Sequence, residues 1–177
     1  MKYIMILILT ALHIQAADFT KELEKQLLVM KDSKLEQAGV DLSGKQLFVV
    51  YYSNRDCGIC VQYTKMLNDW FKKKAPEMSK VQIIFATRGE ENRDLLTKYI
   101  LKSKIEYPVL DEKHFVEADI DGTGSHPFYM DADMGVPRLR FFDRNGKEIS
   151  IKKHVKSIYD PKEVFPKLNE IIGKLIK

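Results

Sequence analysis

The 177-residue chain contains only two cysteines, Cys57 and Cys60, in the stretch SNRDCGICVQ that runs from Ser53 to Gln62. Thiols at this spacing can exchange disulfides as a redox pair, supply half of a metal site, or form an inert crosslink. The crosslink is the weakest of these, because a loop closed over two residues constrains the unfolded chain very little. A chain of this length also has enough core to do without a staple. Redox use has positive support from the neighbouring residues. A β-branched and aromatic run leads directly into the motif and a helical pattern leaves it, so Cys57 stands at a helix N-terminus. Unpaired N–H groups and the helix dipole favour an anion there, which lowers the thiol pKa and supplies the attacking thiolate. A separation of three residues puts both sulfurs on one helix face. Cys57 is then the exposed nucleophile that forms a mixed disulfide, and Cys60 the more buried thiol that resolves it. Gly58 leaves room for an approaching backbone. Arg55 favours the thiolate and Asp56 opposes it, unless Asp56 serves as the helix cap.

Holding such a pair requires a strand before it and a helix after it. Residues 46–53 read as a buried strand. Val61, Met66, Leu67, Trp70 and Phe71 fall at helical spacing up to Pro76, with Met66, Trp70 and Phe71 read as core. Upstream, Phe19, Leu23, Leu27, Met30 and Leu35 predict a helix over residues 18–38, with Gly39 as its stop. Downstream, residues 80–87 predict a second buried strand. Residues 90–102 predict a helix with Leu95, Leu96, Tyr99 and Ile100 inward, and residues 107–111 a short extended piece. Between 112 and 135 no period holds. Residues 119–127 form a loop by composition, either an ordinary surface loop or a flap near Pro137. Residues 138–143 and 148–152 read as strands joined at Asn145-Gly146, a strong hairpin signal. Asp160-Pro161 opens a last helix with Val164, Leu168, Ile171, Ile172 and Leu175 on one side. Alternating strands and helices predict one α/β domain: a central mixed sheet, parallel at its centre, flanked by helices and carrying an antiparallel hairpin.

The N-terminus has a different character. Lys2, an apolar run from Tyr3 to Leu12 and small residues at Ala16-Ala17 describe a secretory signal peptide over residues 1–16, followed by one domain over 17–177. The alternative is an uncleaved N-terminal membrane anchor, for which the run is short. Export favours oxidised thiols. The net charge of +4 comes from scattered lysines. Runs such as Lys72-Lys73-Lys74 and Lys152-Lys153 lack the aromatic interleaving of a nucleic-acid surface and read as solvated faces, so no nucleic-acid partner is expected.

With these parts in order, the sequence resembles the thioredoxin superfamily along the whole of residues 17–177. The resemblance rests on LFVVYYSNRDCGIC at the strand-to-motif junction, on Gly135-Val136-Pro137 before a strand, on the DRNGKEI hairpin and on the final amphipathic helix. Its longer segment before Val136 makes it most similar to the exported TlpA-like branch and to tryparedoxin and nucleoredoxin relatives. The resemblance implies a thioredoxin-like fold with an N-terminal helix and an insertion before a cis-proline, and thiol–disulfide oxidoreductase activity with no dissociable cofactor. It also implies that Pro137 is the cis-proline beside the cysteine pair and that the Val136 backbone docks the substrate, alongside Gly58 and Ile59. The other reading of Pro137 is a trans proline at a strand edge. The implied partners are protein thiols or disulfides, or small dithiols, plus an upstream redox partner, with the protein a monomer. Two departures bear on the redox potential: Asp56 replaces the usual tryptophan and Ile59 the usual proline. The family's buried acid, six residues before the first cysteine, is Tyr51 here, so the resemblance identifies no proton acceptor for Cys60.

Two other functions remain open at this level. A metal site, including copper handling, would need His114, His126 or His154 to complete the cysteine pair. A binding module with the same fold would use the groove without redox turnover, and would have no need of two cysteines. A cysteine hydrolase lacks any supporting signature, and Cys60 would be a hazard to it.

Overall fold

The computed structural model describes residues 19–37, 39–74, 78–87, 92–111, 128, 135–151 and 160–175. In chain order these form α1 (residues 19–25), β1 (Leu27–Lys31), β2 (Lys34–Gln37), β3 (Leu47–Ser53), α2 (Gly58–Lys74) and β4 (Val81–Thr87). There follow α3 (Arg93–Ser103), β5 (Val109–Leu110), β6 (Arg138–Asp143), β7 (Glu148–Ile149) and α4 (Pro161–Leu175). The expected leader, the 119–127 loop, most of the insertion before Val136, and His114, His126 and His154 lie outside the described residues.

β3 is buried at every position, which a strand achieves only when both faces of its sheet are covered. The seven strands run in the order β2-β1-β5-β4-β3-β6-β7. β3 and β4 pair in parallel over seven residues, from Leu47↔Val81 to Ser53↔Thr87. β6 pairs antiparallel on the other side of β3, from Leu47↔Asp143 to Tyr52↔Arg138. Period-2 alternation then sorts β3 between two cores. Leu47, Val49 and Tyr51 join the larger core with Tyr63, Leu67, Leu96, Tyr99, Val164 and Leu168, beneath α2, α3 and α4. Phe48, Val50 and Tyr52 join the smaller one with Leu23, Leu27, Leu42, Phe128 and Phe142, beneath α1.

The helix expected over residues 18–38 is a correction. Helix continues only to residue 25, and 27–37 fold as the β1–β2 hairpin, paired from Leu28↔Gln37 to Lys31↔Lys34. Asp32 and Ser33 turn it with φ of 47° and 64°, the left-handed pair that a two-residue hairpin loop needs. β1 also pairs antiparallel with β5 through Leu27↔Leu110 and Leu28↔Val109. That long-range pairing overrides the local helical spacing, which a hairpin with an irregular apolar pattern also satisfies.

The expected hairpin at Asn145-Gly146 is present. Gly146 has φ of +78°, and the Asp143 carboxylate accepts from the Asn145 and Lys147 amides at 2.8 and 3.0 Å. Its second strand is shorter than the expected 148–152. Two helix faces also differ from expectation. Val61 and Met66 on α2 and Leu95 on α3 are exposed, while Tyr63 and Thr64, six and seven residues after Cys57, take inward positions on α2. Trp70 and Phe71 are half-buried against the larger core.

Candidate active site

β3 ends at Ser53, and four residues later its chain enters α2 at the cysteine pair. The turn is held locally. The Asn54 side chain accepts from the Asp56 amide at 2.8 Å, and the Asn54 carbonyl accepts from the Cys57 amide at 3.3 Å. Cys57 is the capping residue of α2: its carbonyl takes the first helical bond, from Val61 N–H at 3.2 Å, and its sulfur accepts from Cys60 N–H at 3.2 Å. Asp56 therefore does not cap the helix. Its exposed carboxylate pairs with Arg55 Nε at 3.3 Å, which leaves the helix N-terminus to the sulfur.

Cys57 and Cys60 are joined in a disulfide, with Cα atoms 5.2 Å apart. Cys60 is fully buried and Cys57 is partly exposed, so attack from outside is directed to Cys57. When the bond is reduced, the same Cys60 N–H and the end of the α2 dipole stabilise a Cys57 thiolate. Gly58 is open, with nothing within 4 Å of where a Cβ would sit. Ile59 stands 63% exposed between the cysteines, an apolar contact offered to whatever approaches. The Val136–Pro137 peptide is cis. Because β6 begins at Arg138 opposite Tyr52, Pro137 lies at the end of β3 from which the cysteine turn departs. Pro137 is buried and Val136 half-buried.

A cluster of hydroxyls beneath the pair escaped the sequence reading. Tyr51 Oη lies 2.8 Å from Thr64 Oγ1, 3.2 Å from the Cys60 carbonyl oxygen and 3.3 Å from Ser53 Oγ. Thr64 Oγ1 donates to the Cys60 carbonyl at 2.8 Å, and Tyr99 Oη bridges Ser53 and Thr64 at 3.2 and 3.3 Å. The cluster fixes the first turn of α2 through the carbonyl of Cys60 and is made of neutral groups. Burial pushes the Tyr51 phenol well above its usual range, so it stays protonated. The signal was available in the spacing: Tyr51 and Ser53 share a strand face, and Thr64 is one helical turn after Cys60.

Next to it, Tyr52 Oη donates to the Phe128 carbonyl at 2.5 Å and accepts from Arg140 at 3.4 Å. Among the described residues no group of three His, Cys, Asp or Glu side chains is placed to hold a metal ion, and no helix is long and apolar enough to cross a membrane.

No protein-family model matches the chain, and no curated protein matches it by sequence. Solved structures do match. Thioredoxin from Wuchereria bancrofti superposes with a TM-score of 0.56 at 17% identity, over 86% of this chain and 97% of that one. Tryparedoxin I from Leishmania major gives 0.54 at 20% identity, over 90% and 96%. The chain has the thioredoxin fold. A tryparedoxin II solved in complex with glutathionylspermidine shares it, at 0.52 and 19% identity over 73% of this chain and 81% of that one. Along this chain a short N-terminal helix, the Cys57–Cys60 pair at the head of α2 and the cis Val136–Pro137 peptide before β6 follow one another in that order. The N-terminal β1–β2 hairpin extends the sheet beyond β5.

Proposed function

We propose that the protein is a thiol–disulfide oxidoreductase that exchanges disulfides with protein thiols or small dithiols through Cys57 and Cys60. The observation that carries this is the Cys57–Cys60 disulfide at the head of α2, with one sulfur reachable and capped by a helix N–H and the other buried. In the reducing direction the Cys57 thiolate attacks one sulfur of a partner disulfide. That bond breaks, a mixed disulfide forms, and the leaving partner thiolate takes a proton from solvent. Cys60, once deprotonated, attacks the Cys57 sulfur and expels the second partner thiolate. Two electrons have then passed from the dithiol to the partner, and Cys57–Cys60 is a disulfide again. A donor dithiol restores the reduced pair by the same steps in reverse, and no other cofactor enters.

Cys57→Ser is expected to abolish insulin reduction and glutathione exchange, whereas Cys60→Ser accumulates mixed disulfides detectable by mass spectrometry. Full activity in Cys57→Ser would overturn the mechanism. The potential of the couple against glutathione reads its direction: about −270 mV marks a reductant and about −120 mV an oxidant. Val136 and Pro137 are assigned to the partner-binding edge, supported by the cis peptide at the motif end of β3. Pro137→Thr should slow substrate release, and an unchanged rate would remove Pro137 from the site.

We also infer export. The support is the Lys2 charge, the apolar run after it and the small residues at Ala16-Ala17. N-terminal sequencing of secreted protein should find a start beside Ala16 or Ala17. Intact residues 1–16 in a membrane fraction would favour the anchored form instead.

A further inference from the structure

Beside the cysteine pair, a cleft of about 510 Å³ runs between α2 and α3. On α2 its wall includes Val61, Lys65, Asn68 and Lys72, and on the α3 side Lys102 and Lys104. Val61 is four residues after Cys57, so the cleft opens on the same helix face as the reactive sulfur, one turn away. From Val61 to Lys72 it follows α2 for about 16 Å at 1.5 Å per residue, the length of about five residues of extended chain.

Its charge is one-sided. Lys72 is engaged by Glu106 at 2.9 Å, and Asp69 is the one carboxylate in the lining. Lys65, Lys102 and Lys104 have no carboxylate partner among the described residues. The lining also holds an orphan acceptor. Asn68 is buried, and its amide nitrogen donates to the Ser103 and Lys104 carbonyls at 2.7 and 3.2 Å. Those two bonds orient the carboxamide, and its oxygen has no hydrogen-bond partner among the described residues. That oxygen is enclosed beneath the cleft floor, so the residues open to an occupant are the lysines, which acidic side chains on a docked segment meet.

We propose that the cleft between α2 and α3 docks an extended acidic segment of a partner protein, the segment flanking the cysteine that exchanges with Cys57. This rests on the dithiol reading above and adds the partner's character to it: the recognition element is a run of Asp or Glu in an unfolded or loop region beside the reactive cysteine. A small thiol fills only part of such a cleft. Electrostatic attraction of this kind acts mainly on the encounter rate and fades with salt.

The test uses reduced full-length protein and synthetic peptides, each with one cysteine blocked as a disulfide with 2-mercaptoethanol and flanked by glutamates, glutamines or lysines. At low ionic strength the exchange rate should fall in the order Glu, Gln, Lys, with about tenfold or more between the extremes and little difference at high salt. Lys65→Glu/Lys102→Glu should reverse the order, and Lys65→Gln/Lys102→Gln should flatten it. Both variants should react with neutral hydroxyethyl disulfide as the wild type does. Failure of wild type on hydroxyethyl disulfide would sink the dithiol reading itself. Normal reaction there, with equal rates for Glu and Lys peptides or a preference that survives Lys65→Glu/Lys102→Glu, would sink the groove alone. If a small dicarboxylic disulfide shows the full acidic preference, the occupant is not a chain and the proposal fails.

Discussion

Tyr107 offers a sharp check on the packing described here. It follows α3, is buried in the larger core, and meets Phe71 edge-on with ring centroids 5.8 Å apart. Its hydroxyl is buried with no hydrogen-bond partner among the described residues. An unsatisfied buried hydroxyl costs about 1–3 kcal/mol, and phenylalanine keeps the ring contact without it. Tyr107→Phe should therefore raise stability by about 1–2 kcal/mol at neutral pH, after allowance for the small void left by the oxygen. At about 2–4 °C per kcal/mol for a domain of this size, Tm should rise by about 2–8 °C. Alkali magnifies the effect. Burial holds this phenol well above its usual value of 10.0. Below that value it is neutral in both states and its contribution is fully present. Above it the unfolded chain ionises while the folded one does not, so the wild type loses about 1.4 kcal/mol per pH unit from this group. Urea unfolding in a Cys57→Ala/Cys60→Ala background, which removes thiol exchange in base, can be run at about pH 7 and about pH 11. The advantage of Tyr107→Phe should grow by about 1.4 kcal/mol between them. A variant less stable than its parent at neutral pH, or one whose advantage is the same at both, would refute the reasoning.

Two further substitutions probe the β6–β7 edge. Arg140 is forked onto Glu148 through Nε and Nη2 at 2.9 and 2.8 Å and lies 4.9 Å over the Phe142 ring. Its side chain is only 11% exposed, though Glu148 is half exposed and screened. Arg140→Ala should lower the urea-derived stability by about 2 kcal/mol, and a loss below about 0.5 would mean that the fork contributes no more than a surface pair. At Gly146 a Cβ would come within 2.6 Å of the Phe19 ring, on top of a φ of +78°. Gly146→Ala should cost about 1–3 kcal/mol in thermal or chemical unfolding, and an unchanged Tm would show that the hairpin and α1 are not in contact.

What could be read from the sequence follows from which interactions are local. The strand–CxxC–helix junction, β3, the Asn145-Gly146 turn and the start of α4, where Asp160 accepts from the Lys162 amide at 2.9 Å, depend on neighbouring residues and stand where their patterns put them. The β1–β2 hairpin is hard to see in the sequence because Asp32-Ser33 is a weak turn signal next to Asn-Gly, and because β1 also pairs with β5, where Leu110 lies 83 residues beyond its partner Leu27. The inward face of α2 departs from its apolar spacing for a related reason. Apolar Val61 and Met66 stay outside, while Tyr63 and Thr64 turn inward, where Tyr63 stacks on Tyr51 at 5.5 Å and Thr64 bonds the hydroxyl cluster. Counting apolar letters assigns the core to hydrophobic residues, whereas here hydroxyl-bearing side chains with satisfied partners make part of it.

Tyr51 shows what the cluster does and does not do for the chemistry. A group that takes the proton from Cys60 must change its charge near the working pH. Tyr51 stays neutral, because burial raises it, and its hydrogen-bond partners are the uncharged Thr64 and Ser53 hydroxyls and the Cys60 carbonyl. It can hold the Cys60 carbonyl and the first turn of α2 in place, but it cannot act as the base. Removing only its hydroxyl leaves Thr64 still donating to the Cys60 carbonyl and Tyr99 still bridging Ser53 and Thr64. No buried group is stranded, so Tyr51→Phe should cost about 1 kcal/mol of stability, the low end for a buried hydrogen bond. The dependence of the exchange rate on pH should be the wild-type curve between about pH 6 and about pH 9, with the maximum rate lowered by less than about threefold. A curve displaced by more than about half a pH unit would mean that the Tyr51 hydroxyl does tune a titrating thiol, and that the cluster belongs to the proton pathway and not only to the scaffold.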